Sequence, residues 1–150
     1  MNYLILIGET TVLPALFGEI IIPSAVMAEL RHPHAPPRVA EWVAATPDWV
    51  RMMSAAALDP DIRLGAGETE AISLAIEMGL PAVLMDERKG RAAAESRGLI
   101  AVGTLNILDA ADEAGLLDFE DCLRRLQRTN FRIEASLAEA FTERVRKRRD

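Results

Sequence analysis

Three acidic residues bracket one helix–strand segment of the sequence. Glu68 and Glu70 stand at the start of GETEAISLAIEMG, and Asp86 follows the apolar run AVLM. Apolar residues at helical spacing predict a helix that stops near Gly79, and the run after it predicts a short buried strand. A helix of roughly 14 Å followed by a returning strand of roughly 16 Å brings Glu70 and Asp86 to the same end. That end is the carboxyl edge of the strand, where ligands bind in open α/β sheets.

A further acid, Glu29, has an equivalent position in an earlier segment. The run EIIIP predicts a strand, and SAVMAELRH predicts a helix with Glu29 in its second turn. Each acid taken alone is better explained by a solvated helix face, by the helix dipole or, for Asp86, by capping of the next helix. Three acids from separated segments at one sheet edge are harder to explain in that way. Clustered carboxylates without cysteine suit a hard cation such as Mg²⁺ or Mn²⁺, which usually serves phosphate chemistry.

Length and composition limit the class of protein. A chain of 150 residues that is 50% hydrophobic predicts one globular domain with a real core. The single cysteine, Cys122, excludes an internal disulfide and favours a reducing compartment. The apolar runs are too short to span a bilayer, and the start lacks the features of a signal peptide. We therefore expect a cytoplasmic protein that does not interact with a membrane.

Charge is distributed unevenly along the chain. Residues 123–150 contain nine Lys/Arg and four Asp/Glu, a net charge of +5, so the preceding residues carry −11 of the total of −6. An acidic body suits cation binding, and the basic tail could contact a polyanion or an acidic partner. The tail is equally well explained as a solvated helix end whose cations complement the helix dipole.

The remaining segments predict alternating strands and helices. We expect helices over 10–18 and 38–46, strands over 49–53 and 99–103, and a helix between Asp86 and Gly98. The helix that begins near Thr104 contains Asp109 and Asp112, which we expect on the surface. Residues 118–150 predict two closing helices with the basic tail. This alternation predicts a three-layer α/β domain with a parallel sheet over residues 1–150.

Several segments resemble the PIN-domain family, in the branch described as predicted nucleic-acid-binding proteins. They are LFGEIIIPSAVMAEL, LGAGETEAISLAIEMGLPAVLMDERKGR, GLIAVGTLNIL and TNFRI, which together cover almost the whole chain in the family's order. The resemblance implies a metal-dependent ribonuclease with an acidic site that binds Mg²⁺ or Mn²⁺. Many bacterial members are toxins of VapC-like toxin–antitoxin pairs, so it also implies RNA, a small antitoxin protein and a second copy of the chain as partners.

The family's acidic positions map onto residues of this chain. The acid after the second strand matches Glu29, the acid that opens the central helix matches Glu70, and the acid that ends the next strand matches Asp86. The family more often has aspartate at the position of Glu70, and Glu68 either assists or replaces it here.

One departure concerns the start of the family pattern, where a strand ends in an aspartate before the first helix. Met1-Asn2-Tyr3-Leu4 matches a point inside that pattern. The apolar run of residues 2–8 by itself favours a strand, whereas the resemblance implies a helix there. We therefore expect a sheet that lacks the family's first strand and has a gap, filled by a neighbouring chain, and a weakened metal site.

Two functions follow from these expectations. The first is a PIN-type endoribonuclease in which Glu29, Glu70 and Asp86 hold the metal ion. The second is a non-catalytic module that binds RNA or an antitoxin. In the first, Arg88, Lys89 and Arg91, beside Asp86, are candidates for contact with phosphates, although the same residues could simply solvate a helix face. The second would bind through the basic tail and the groove above the sheet.

Overall fold

Nine helices and four short strands form the chain, which a computed structural model describes over residues 1–150. Unit 1 contains residues 1–16 and 104–150, and unit 2 contains residues 17–103. The elements in chain order are α1 (Asn2–Ile7), α2 (Val12–Phe17), β1 (Ile20–Pro23), α3 (Ser24–Leu30), α4 (Pro37–Ala44), β2 (Val50–Met53), α5 (Ala66–Glu77), β3 (Ala82–Leu84), α6 (Arg88–Glu95), β4 (Ile100–Val102), α7 (Thr104–Glu113), α8 (Phe119–Gln127) and α9 (Ala135–Arg149). None of the helices has the length and apolar composition that a membrane span needs.

The strands of unit 2 pair in parallel, as the sequence predicts. β1 pairs with β2, with Ile20 opposite Val50, and β3 pairs with β4, with Ala82 opposite Ile100. The two pairs form separate two-stranded sheets, because no backbone ladder joins one pair to the other. The α/β class is therefore confirmed, while the loss of the family's first strand and the filling of the gap by a neighbouring chain stay predictions.

Helix α5 connects the two strand pairs of unit 2. It packs against β1 and against β3, and it also contacts α3. Ile72 and Ala75 of α5 are buried in one apolar cluster with Met85, after β3, and Ala101 of β4. The start of α5 is therefore held in place by apolar packing along the rest of the helix.

The first residues of the chain form helix α1 and not a strand. The helix ends at Gly8, whose φ of +77° is a left-handed conformation that favours glycine. Leu4 and Ile7 are buried. The structure confirms the helix that the family resemblance implies. The strand that the apolar run by itself favoured was wrong, because burial in the tertiary structure determines whether a short apolar segment forms a helix or a strand.

In unit 1, α7, α8 and α9 pack against one another. The rings of Phe119 and Phe141 are stacked with their centroids 5.9 Å apart. Asp118 caps α8, since its carboxylate accepts a hydrogen bond of 2.8 Å from the Asp121 backbone N–H.

The expectation that Asp109 and Asp112 lie on the surface was wrong. Asp109 is only 8% exposed, and the Asp112 side chain is 4% exposed. The Arg148 guanidinium donates to a carboxylate oxygen of each, at 2.9 and 3.1 Å. A buried carboxylate needs such partners, which here come from a helix more than 30 residues later in the chain.

The arginines of the basic tail are paired with acids of unit 1. Arg144 and Arg148 contact Asp109, Arg149 contacts Asp112 and Asp118, and Arg146 contacts Glu120. The tail is therefore an ordered part of helix α9 and not a free basic arm.

We expect acid to weaken this ion-pair cluster. Burial raises the pKa of Asp112, but hydrogen bonds from the Phe119 N–H and from Arg148 and Arg149 outweigh it and hold the pKa below its ordinary value. A carboxylate with a lowered folded-state pKa stabilises the fold above its unfolded pKa of about 3.9, and this stability is lost as the pH falls through the folded pKa.

Guanidinium denaturation at a series of pH values checks this prediction. The denaturation midpoint of the wild type should fall below about pH 4. Asp112→Asn should be less stable at neutral pH and should show a shallower dependence on pH. The same pH dependence in both proteins would contradict the role of Asp112.

Candidate functional site

Glu29 reaches the beginning of helix α5 from the last turn of α3. Its carboxylate Oε1 accepts a hydrogen bond of 3.0 Å from the Gly67 backbone N–H. The first N–H groups of a helix have no partner within the helix, and the helix dipole favours an anion there. Glu29 itself is exposed, so its carboxylate remains open to solvent while it is oriented by the helix.

Glu68 lies in the first turn of α5, close to the same point. Burial raises the pKa of Glu68 above its ordinary value, and the charges of Glu87 and Glu29 raise it further, against a lowering backbone hydrogen bond. The carboxylate is half-buried with two like charges near it. A cation at this point would relieve that repulsion.

Glu70 has a different environment from Glu68. The residue is 8% exposed, and its carboxylate accepts hydrogen bonds from the Ala25 N–H at 2.6 Å and the Ala55 N–H at 3.2 Å. Ala25 follows β1 and Ala55 follows β2, so Glu70 ties the carboxyl ends of both strands to α5. These contacts are those of a carboxylate that holds backbone segments together.

Asp86 follows β3 after one intervening residue, Met85, and is half-buried. The neighbouring residue Glu87 is exposed and is the acid of this loop whose charge acts on Glu68. Glu29 and Glu68 thus both lie at the start of α5, and the charge of Glu87 acts on Glu68. Glu87 was not predicted as a site residue, and its place beside Asp86 is the signal in the sequence that points to it.

The three cations after Asp86 differ in their surroundings. Arg88 and Lys89 begin α6 and are exposed to solvent. The Arg91 guanidinium is half-buried and donates to the Met85 carbonyl oxygen at 3.0 Å. Arg91 therefore holds the end of β3, and Arg88 and Lys89 are the two of these cations that are exposed to solvent.

A PIN-domain family model matches residues 1–147 of the chain. The chain belongs to the PIN-domain family. No match was found among the curated proteins or among the solved structures. The PIN domain brings with it a nuclease-type fold and an expectation of nucleic-acid binding.

PIN domains generally depend on a divalent metal ion. The chemistry of the donors fits such an ion, because Glu29 and Glu68 offer carboxylate oxygens at the start of α5, and hard divalent cations prefer oxygen ligands. The number of donors is small, since no group of three His, Cys, Asp or Glu side chains is arranged to hold a metal. A small number of protein donors suits Mg²⁺ better than an ion that protein ligands surround completely. Mg²⁺ is commonly bound by one or two carboxylates together with water and substrate phosphates.

Proposed function

We propose that this PIN domain is an endoribonuclease that depends on Mg²⁺ or Mn²⁺ and hydrolyses phosphodiester bonds of RNA. The observation that supports the proposal is the position of the Glu29 carboxylate, which accepts a hydrogen bond from the Gly67 N–H at the start of α5, directly beside Glu68. Glu29 and Glu68 come from separate segments of the chain, and burial together with the charges of Glu87 and Glu29 raises the pKa of Glu68.

In this proposal Glu29 and Glu68 hold the metal ion, and Asp86 is a further proposed ligand at the end of β3. The ion, when bound, would lower the pKa of a water molecule and neutralise charge at the phosphorus. The Gly67 N–H keeps the Glu29 carboxylate at the start of α5. We assign Glu70 to the support of this site, since both its oxygens already accept backbone hydrogen bonds.

Arg88 and Lys89 are the residues that we propose for binding the RNA backbone. Both are exposed and follow directly on the acidic loop that contains Asp86 and Glu87. Cations beside an acidic site offset its repulsion of a polyanion and place a phosphate within reach of the acids. Contacts of this kind are independent of base sequence.

A second candidate function is a non-catalytic module that binds RNA. The arrangement of the acids favours it, because no three of them form a metal-binding group. Such a module would bind RNA through Arg88 and Lys89 and would not need a divalent ion. The role of a metal therefore separates the two candidates.

The family resemblance also supports proposals about partners. We propose that the nuclease is the toxin of a toxin–antitoxin pair, acts in the cytoplasm, forms a homodimer and is held inactive by a small antitoxin protein. Light scattering of the purified chain tests the dimer, and a mass equal to one chain would exclude it.

Cleavage of a structured RNA tests the nuclease proposal. We expect the wild-type chain to cut the RNA with Mn²⁺ and not with EDTA. Glu29→Gln should reduce the cleavage rate by roughly 100-fold or more. This loss is larger than that expected from changing a residue that only contacts a metal ligand. Glu95→Gln, which removes one exposed negative charge at the end of α6, is the matched control and should cut at the wild-type rate.

Failure of the wild type to cut would contradict the nuclease proposal. If the same protein then binds RNA equally well with Mn²⁺ and with EDTA, the binding module is the correct function. Lower affinity in Arg88→Ala and Lys89→Ala would place the RNA on the proposed surface.

A further inference from the structure

Two glycines occupy the first turns of helices at the candidate site. Gly67 lies in α5 and Gly90 in α6. Glycine within a helix is less favourable than alanine. Neither residue has a positive φ, so the backbone conformation does not require glycine at either position.

The space around these two glycines explains their presence. A Cβ atom on Gly67 would lie 2.7 Å from each carboxylate oxygen of Glu29. A Cβ atom on Gly90 would lie 2.6 Å from Oε1 of Glu68 and 2.5 Å from the Met85 sulfur. Gly65, only two residues before Gly67, has no atom near its Cβ position.

We propose that Gly67 and Gly90 are positioning residues, which leave the space that the carboxylates of Glu29 and Glu68 occupy at the site. Each glycine acts through one acid, and both acids are the ones proposed to hold the metal ion. The effect of the two glycines on catalysis therefore rests on the proposed function. The packing itself is independent of any reaction.

Alanine at position 67 should displace a side chain and leave the fold intact. The atoms that it would meet are the far end of the flexible Glu29 side chain. That side chain is exposed and can rotate away. At position 90 alanine would also press on Met85, which is buried in the core of unit 2, so Gly67→Ala is the cleaner test.

A double-mutant cycle between Gly67 and Glu29 measures the coupling. In a Glu29→Ala background, Gly67→Ala should raise the melting temperature by about 2–4 °C, because alanine is the better helix former. In the wild-type background the increase should be absent or reversed, since the new methyl group expels the Glu29 carboxylate. An equal increase in both backgrounds would overturn the positioning role.

Titration with Mn²⁺ gives the second readout. Gly67→Ala should bind Mn²⁺ about 10-fold or more weakly than the wild type, as expected when the support of a ligand is changed. Unchanged affinity would overturn the positioning role. If the double-mutant cycle shows the coupling but the wild type binds no Mn²⁺, the nuclease proposal is contradicted. The positioning of the carboxylates by glycine would still be established.

Discussion

Replacing Glu70 with alanine should lower the free energy of unfolding by about 3 kcal/mol, because two charge-assisted hydrogen bonds to backbone N–H groups are lost. Glu70 is 8% exposed and joins Ala25 and Ala55 to helix α5. Glu70→Gln should cost less, since the amide oxygen can accept one of the two bonds while the amide NH₂ meets the other donor. Urea denaturation followed by circular dichroism measures both changes.

The same helix provides a matched control. Glu77 accepts a hydrogen bond of 2.7 Å from the Ala56 N–H, in the same loop as Ala55, but it is exposed to solvent. Because water can replace an exposed acceptor, Glu77→Ala should cost under about 1 kcal/mol. If Glu70→Ala were as stable as Glu77→Ala, the structural role of Glu70 would be excluded and its predicted role as a metal ligand would regain support.

Replacing Glu68 with glutamine should have the opposite effect to replacing Glu70, because RNA cleavage should be lost while the stability of the fold is kept. Burial and the charges of Glu87 and Glu29 raise the pKa of Glu68, so its ionised form is disfavoured in the folded protein. Removing that charge should leave the protein at least as stable as the wild type at pH 7. RNA cleavage with Mn²⁺ should fall by roughly 100-fold or more.

Comparing the Glu68 and Glu70 variants in the same assays shows which glutamate serves RNA cleavage and which one supports the fold. A melting temperature that is maintained in Glu68→Gln ensures that its loss of cleavage does not come from unfolding. If Glu68→Gln cut RNA normally and lost stability, the roles assigned to Glu68 and Glu70 would have to be exchanged.

The sequence alone predicted the order and type of the elements well. Apolar periodicity predicted α5, and the left-handed Gly79 ends it as expected. The apolar runs before Ser24 and Asp86 predicted β1 and β3. These features are local, because helix ends and short buried strands are determined by residues within a few positions.

Sequence alone could not decide which glutamate of α5 belongs to the acidic cluster. Glu68 and Glu70 are two residues apart, so they point about 200° apart around the helix. Both occupy the start of α5 and both are acids, and only the tertiary packing shows that Glu70 is held by the Ala25 and Ala55 N–H groups whereas Glu68 is not. The resemblance to the family gave Glu70 as the match, with Glu68 to assist or replace it, and the roles of the two glutamates stay a prediction.

The burial of Asp109 and Asp112 was also beyond local reasoning. An acid on an amphipathic helix is usually exposed. Here the arginine partners are on α9, more than 30 residues away in the chain. A basic segment near the end of the chain indicated only an excess of cations, and it could not show which acids they meet.

Binding of Mn²⁺ to the wild type and to Glu68→Gln, measured by calorimetric titration, tests the central claim most directly. The claim is that Glu68, together with Glu29, forms a cation site at the start of α5. We expect the wild type and the exposed-charge control Glu95→Gln to bind Mn²⁺ with equal affinity, and Glu68→Gln to bind it roughly 100-fold or more weakly. Equal Mn²⁺ affinity in all three proteins would contradict the claim.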